Sequence, residues 1–156
     1  MKKIITYTIL ILFILIAIGG CERDEICIDP ITPHLIIRFY DTEDLETFKP
    51  VNNLLVKIMD KEFEVVTTDT LLIPLNVYDS RTTIVLTKNS KDSTQLIQDT
   101  LTVNYEVENV FVGRSCGYKS IFTNINYQNT KNWIVSKEVV DLQIENEDNA
   151  HLKIFH

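Results

Sequence analysis

The sequence predicts an all-β fold over residues 34–156, a single antiparallel β-sandwich. Two observations carry this expectation. Apolar residues recur with period two, and no stretch from residue 34 onward sustains a helical stripe. The alternating segments are short and rich in Ile, Val, Thr and Tyr, residues that suit a pleated, half-buried surface.

The elements follow in chain order. Leu35, Ile37 and Phe39 alternate with Ile36, Arg38 and Tyr40 to give a first strand. Segments 53–59 and 62–66 read as strands that pair across Asp60-Lys61. Leu71, Ile73, Leu75 and Val77 form the next row. Pro74 interrupts it and cannot donate to a ladder, so this strand belongs at a sheet edge or carries a bulge. Segment 82–88 is a further strand. The cleanest row is Leu101, Val103, Tyr105 and Val107, set against Thr100, Thr102, Asn104 and Glu106. Ile121, Ile125 and Tyr127 follow, then Val140, Leu142 and Ile144, and lastly Leu152 and Ile154. Segments 88–94 and 128–133 are polar and read as turns. Eight or nine such strands, each with one wet face, close most naturally as a sandwich with an immunoglobulin-like arrangement.

Two glycines lie beyond the N-terminal segment, Gly113 and Gly117, and both flank Cys116. Glycine suits a place where the backbone bends sharply or takes positive φ. The run Gly113-Arg114-Ser115-Cys116-Gly117 is not a nucleophile elbow, because no helix is expected after the serine.

The N-terminus has the parts of an export signal. Lys2 and Lys3 precede a stretch from Ile4 to Ile18 that is apolar apart from Thr6, Tyr7 and Thr8, and Gly19 and Gly20 lead to Cys21. The stretch is shorter than the roughly 20 residues that span a bilayer. Ile18-Gly19-Gly20-Cys21 resembles the lipobox of bacterial lipoproteins, which implies cleavage after residue 20 and a diacylglycerol on the Cys21 thiol. Each buried methylene of such a lipid contributes about 0.8 kcal/mol, so several acyl chains anchor stably where one does not. Glu22-Arg23-Asp24-Glu25 is either a solvated tether or, as its resemblance to the surface-export signal of Bacteroidota lipoproteins implies, an address for the outer face of the outer membrane. The alternative is the periplasmic face. The expected organisation is a lipoprotein signal peptide at 1–20, the lipidated Cys21 with a short tether at 21–33, and the β-sandwich domain at 34–156.

Charge narrows the function classes. The chain has 22 acidic against 15 basic residues, a net charge of −7, and the signal removes two of the lysines. Such a chain is repelled by phosphate backbones, and no basic cluster is interleaved with aromatics, so no nucleic-acid partner is expected. With Cys21 assigned to lipid, Cys27 and Cys116 remain in an oxidising compartment, where pairing is the default. Closing so long a loop contributes roughly 4–5 kcal/mol in principle. The alternatives are two free buried cysteines or a reactive thiol, and neither cysteine has a histidine close in sequence.

Several segments carry a wider likeness. Cys21-Glu22-Arg23-Asp24 with Ile26-Cys27, and Pro33 through Leu35-Ile36-Ile37-Arg38-Phe39-Tyr40-Asp41, are two of them. Leu72-Ile73-Pro74-Leu75, Ser115-Cys116-Gly117-Tyr118-Lys119 and the closing Ala150-His151-Leu152-Lys153-Ile154-Phe155-His156 are the others. Together they resemble an uncharacterised lipoprotein family of Bacteroidota, a domain of unknown function. The resemblance implies export, a single domain and the two-cysteine arrangement, and it carries no activity.

The candidate sites are few. His34, His151 and His156 are the three histidines. Were first and last strands neighbours, His34 and His151 would approach each other with an acid such as Asp41 or Glu147, the convergence that a metal or acid–base site needs. The plainer reading is three ordinary residues at strand ends. Trp133, Tyr118, Tyr127 and Phe122 form either an aromatic platform for a glycan or, more in keeping with β cores, part of the interior. Asp141 and Glu145 read as solvated acids on one strand face. Asp69-Thr70-Leu71, Asp92-Ser93-Thr94 and Asp99-Thr100-Leu101 resemble the O-glycosylation sequon of Bacteroidota envelope proteins, with Thr70, Ser93 and Thr100 as acceptors. The same residues are ordinary chemistry where a strand begins. No catalytic residue, metal site or cofactor is expected. The leading functional reading is a membrane-anchored, non-catalytic lipoprotein that binds an outer-membrane protein partner. A surface glycan- or ligand-binding module is the alternative.

Overall fold

The computed structural model describes Cys27 and residues 32–156. The signal at 1–20, Cys21 and the charge run after it lie outside the described residues. Within them the chain forms strands and no helix. In order these are β1 (Leu35–Tyr40), β2 (Val51–Ile58), β3 (Lys61–Thr68), β4 (Thr70–Ile73), β5 (Arg81–Lys88), β6 (Ile97–Gly113), β7 (Gly117–Asn129), β8 (Ser136–Val139) and β9 (Leu152–Phe155).

Two sheets pack as a sandwich, one of four strands in the order β4-β1-β9-β8 and one of five in the order β3-β2-β5-β6-β7. The strand order is not the immunoglobulin-like one. Immunoglobulin orders put the second and third strands in opposite sheets. Here β2 and β3 meet across a two-residue turn, Met59-Asp60, which leaves no chain to cross between sheets. Met59 supplies the positive φ (54°) that such a hairpin turn needs at its first central position. Pairing is antiparallel except between β1 and β9, which run parallel.

The core lies between the sheets. Leu35, Ile37 and Phe39 from β1, with Leu152 and Ile154 from β9, meet Leu54, Ile84, Leu101, Val103 and Phe122 from the larger sheet, all buried. The alternation read from β1, β6 and β9 therefore marks the inward faces. Two strands depart from strict alternation, and on β7 the cause is a bulge. On β2 both Val51 and Leu54 point inward, an odd spacing that strict alternation forbids; Asn53 between them takes φ 47°. On β7 the inward residues are Phe122 and Ile125 rather than Ile121 and Ile125, and Asn124 at φ 52° coincides with a register shift against β6. A bulge residue in the left-handed region adds one step to the strand and exchanges its faces. Asparagine tolerates that region better than most residues.

Two further expectations change. The row Val140, Leu142 and Ile144 is not a strand: β8 ends at Val139, Val140 and Leu142 are exposed, and only Ile144 is buried, bridging to Phe122. With that row gone, Asp141 and Glu145 share no strand face. The row from Leu71 to Val77 stops as a strand at Ile73, just before Pro74, and β4 is an edge strand as the proline requires. The hairpin of β6 and β7 is longer than the alternation suggested, running to Gly113 and restarting at Gly117, which holds φ 71°. Cys116 in its turn is disulfide-bonded to Cys27, with Cα atoms 5.0 Å apart.

Candidate functional site

Because the odd-numbered side chains of β1 fill the core, Ile36, Arg38 and Tyr40 face outward. The register then builds a surface around them. Parallel β9 sets Lys153 beside Arg38, and antiparallel β4 sets Thr70 opposite Arg38 and Leu72 opposite Ile36. The segment between β8 and β9 forms the remaining wall, with Asp141, Glu147, Asp148 and His151. The result is a cleft of about 550 Å³ on the outer face of the smaller sheet. It has an apolar and aromatic floor, two cations from the strands and acids from the segment.

Glu147 and His151 line this cleft, and Glu147 also bonds His34, which immediately precedes β1, the neighbour of β9. The Glu147 carboxylate accepts from the His34 backbone N–H at 2.8 Å and from its Nδ1 at 2.6 Å. The backbone N–H of Ile36 donates to Nδ1 of His151 at 3.0 Å. Nδ1 is therefore the unprotonated nitrogen, and the proton sits on Nε2. Burial lowers the His151 pKa, against the pull of Asp141, of a hydrogen bond with the Asn146 backbone and of Glu147. The ring is neutral at pH 7. The bonds from the His34 backbone and side chain hold Glu147 below its ordinary carboxylate value. Chemically this is a clasp: the lone pair of His151 and the carboxylate of Glu147 are spent on β1 and the residue just before it. They fix the 140–151 segment over the sheet. Among the described residues no group of three or more His, Cys, Asp or Glu is arranged to hold a metal ion.

The other candidates are scattered. His156 is buried at the far end of β9, its Nε2 bonded to the Lys49 carbonyl at 3.0 Å and its ring edge-on to Trp133. Trp133 is buried and donates Nε1–H to the Leu86 carbonyl, while Tyr127 and Phe122 are core residues, so these rings present no common platform. Tyr118 alone of the four is exposed, far along the β6–β7 hairpin and paired with Phe111. Thr70 is half-buried in the cleft wall with its hydroxyl on Asp69; Ser93 is exposed in the loop between β5 and β6; Thr100 is half-buried within β6.

One residue matters more than its sequence context suggested. Asp99 is buried and accepts hydrogen bonds from the backbone N–H of Asn132, Trp133 and Ile134 at 2.7–2.8 Å, and from the Thr130 hydroxyl. Burial pushes its pKa up, but these donors outweigh burial and the net shift is downward. The available signal was phase: Asp99 stands two residues before Leu101 and four before Val103, on the inward face of β6.

A family model described as "Family of unknown function (DUF6452)" matches residues 54–156. No curated protein and no solved structure matches the chain.

Proposed function

The chain belongs to this family of unknown function, and from that premise we propose that it is a lipoprotein held on the outer membrane through Cys21. Its sandwich carries no chemistry of its own and grips an envelope protein in the cleft over β1, β4 and β9. The observation that carries the reading is the clasp. The groups that would do acid–base work, His151 and Glu147, are bonded to the backbone and to His34, and what remains is a shaped, two-signed surface beside an edge strand. Arg38 and Lys153 on one side and Asp141 and Asp148 on the other favour a segment bearing both charges, since complementary potentials select partners. The edge of β4, which pairs with no further strand among the described residues, and the half-exposed Leu72 suit an extended segment laid along the sheet.

The test is site-specific photocrosslinking in intact cells. A crosslinker at Leu72 is expected to give one discrete protein adduct that Arg38→Glu abolishes, and a crosslinker at Thr83, on the outer face of the larger sheet, to give none. Equal labelling from both positions would sink the reading. A second reading, a small ligand or glycan in the same cleft, draws on the cleft's size, which falls in the roughly 300–1,000 Å³ range of ligand sites. Under it, no protein adduct forms at Leu72, and envelope glycans raise the melting temperature saturably.

A further inference from the structure

The β6–β7 hairpin outruns the sandwich. β6 pairs with β5 only as far as Asn104, and beyond Glu106 its ladder partner is β7 alone. On the other side of β7, Phe122 and Ile125 bond to the 142–144 segment, and Lys119 donates to the Glu145 carbonyl. From the buried Phe122 to Gly117 the ribbon runs five residues, about 17 Å at the rise of a strand. A two-stranded ribbon in water is marginal, and a cross-strand ring pair adds only about 0.2–1 kcal/mol to it. Yet Phe111 and Tyr118 sit directly opposite each other near its tip, 58% and 65% exposed, with ring centroids 5.4 Å apart. From Val110 to Lys119 the chain holds Arg114 and Lys119 and no acid, in a protein of net charge −7.

The disulfide says what lies near this tip. Cys116 in the turn is bonded to Cys27, and Cys27 is six residues from Cys21. Six extended residues reach at most about 20–22 Å. With the 5.0 Å between the Cys27 and Cys116 Cα atoms added, a lipid on Cys21 keeps the ribbon tip within about 25–27 Å of the bilayer. Amphipathic rings settle at the headgroup level, and cations near the surface are drawn to anionic lipids.

We propose that the tip of the β6–β7 hairpin is a second membrane contact, in which Phe111 and Tyr118 enter the headgroup layer and Arg114 meets anionic phospholipid. The inference rests on the reading of Cys21 as the lipid anchor. It makes the disulfide a strut: lipid and ribbon together give two points of attachment, and the sandwich keeps one tilt over the membrane.

The test uses the full mature protein, purified with its native modification and placed in vesicles of phosphatidylethanolamine and phosphatidylglycerol. Phe111→Trp adds a reporter to the buried Trp133, and the parent protein supplies the baseline. The added emission is expected to shift to the blue on vesicle binding and to be lost to lipids brominated near the headgroup. Arg114→Glu in the same background is expected to weaken both effects. Mass spectrometry of the same sample reads the state of Cys21 separately. Acylated Cys21 with a reporter as wet and unquenched as in buffer overturns the membrane contact and leaves the anchor standing. Quenching with an unmodified Cys21 overturns the anchor and leaves the contact standing. A blue shift that follows protein density and ignores brominated lipid overturns the contact in favour of pairing between copies of the chain.

Discussion

Asp99→Ala tests how the turn after β7 is held. The carboxylate takes three backbone N–H groups from Asn132, Trp133 and Ile134 together with the Thr130 hydroxyl, in a site almost closed to water. Alanine leaves those donors without an acceptor. Two of the donors, the N–H groups of Trp133 and Ile134, are buried, and each buried unsatisfied donor costs about 1–3 kcal/mol, so the cluster loses about 2–6 kcal/mol. A domain of this size has roughly 5–15 kcal/mol to lose. The corresponding fall in Tm is about 10 °C or more. Thermal unfolding followed by Trp133 emission is the assay, because the indole sits on the turn that Asp99 holds. The pH dependence gives a second check. The folded pKa of Asp99 lies below its unfolded value, so its contribution is complete above about pH 4 and lost as pH falls through the folded pKa. The gap between parent and variant should therefore narrow in acid. A Tm within about 3 °C of the parent, or a gap unchanged at pH 2, would refute the reasoning.

Cys116→Ser should lower Tm, because the bond closes a separation of 89 residues in the unfolded chain; a variant that melts with its parent would mean the bond is energetically idle. Burial lowers the pKa of both His151 and His156, so stability should decline as pH falls below about 6.5 and the unfolded chain binds the protons. The double variant His151→Gln/His156→Gln should flatten that decline in urea titrations at pH 7 and pH 5, and an unchanged slope would contradict the assignment. Mass spectrometry of the native protein should show residues 1–20 removed and Cys21 acylated, and an intact Met1 would end the lipoprotein reading. Protease shaving of whole cells should remove the domain; resistance until the outer membrane is permeabilised, with the purified protein digestible, would favour the periplasmic face.

What the residues revealed beforehand depended on whether a strand kept its phase. Leu35, Ile37 and Phe39 and the row from Leu101 to Tyr105 alternate without interruption, so their buried faces were legible. On β7 the left-handed Asn124 exchanges the faces, and Phe122 rather than Ile121 enters the core. Nothing in a period-two reading marks such a residue in advance. Val140 and Leu142 mimic a strand but have solvent on their side, and the segment is held instead by Ile144, Glu147 and His151. The clasp was legible as a list of candidates and illegible as a place, because the approach of His34 to His151 depends on β1 lying beside β9. That adjacency is a property of strand order, which alternation does not encode. Asp99 was read as part of a modification sequon, whereas its phase on β6 pointed to the interior.

Genetic rescue of the deletion strain tests the central claim most directly, by separating chemistry from grip. One variant, His34→Gln/Glu147→Gln/His151→Gln, removes every acid–base group of the clasp and keeps groups able to hydrogen bond. Another, Arg38→Glu/Lys153→Glu, reverses the cations on the cleft floor and leaves His34, Glu147 and His151 in place. Both are compared with the parent at matched abundance, lipidation and Tm. The account predicts full rescue by the first variant and loss of rescue by the second. Loss of rescue by the first with full rescue by the second would contradict it, and would make the clasp of His34, Glu147 and His151 the working residues of the cleft.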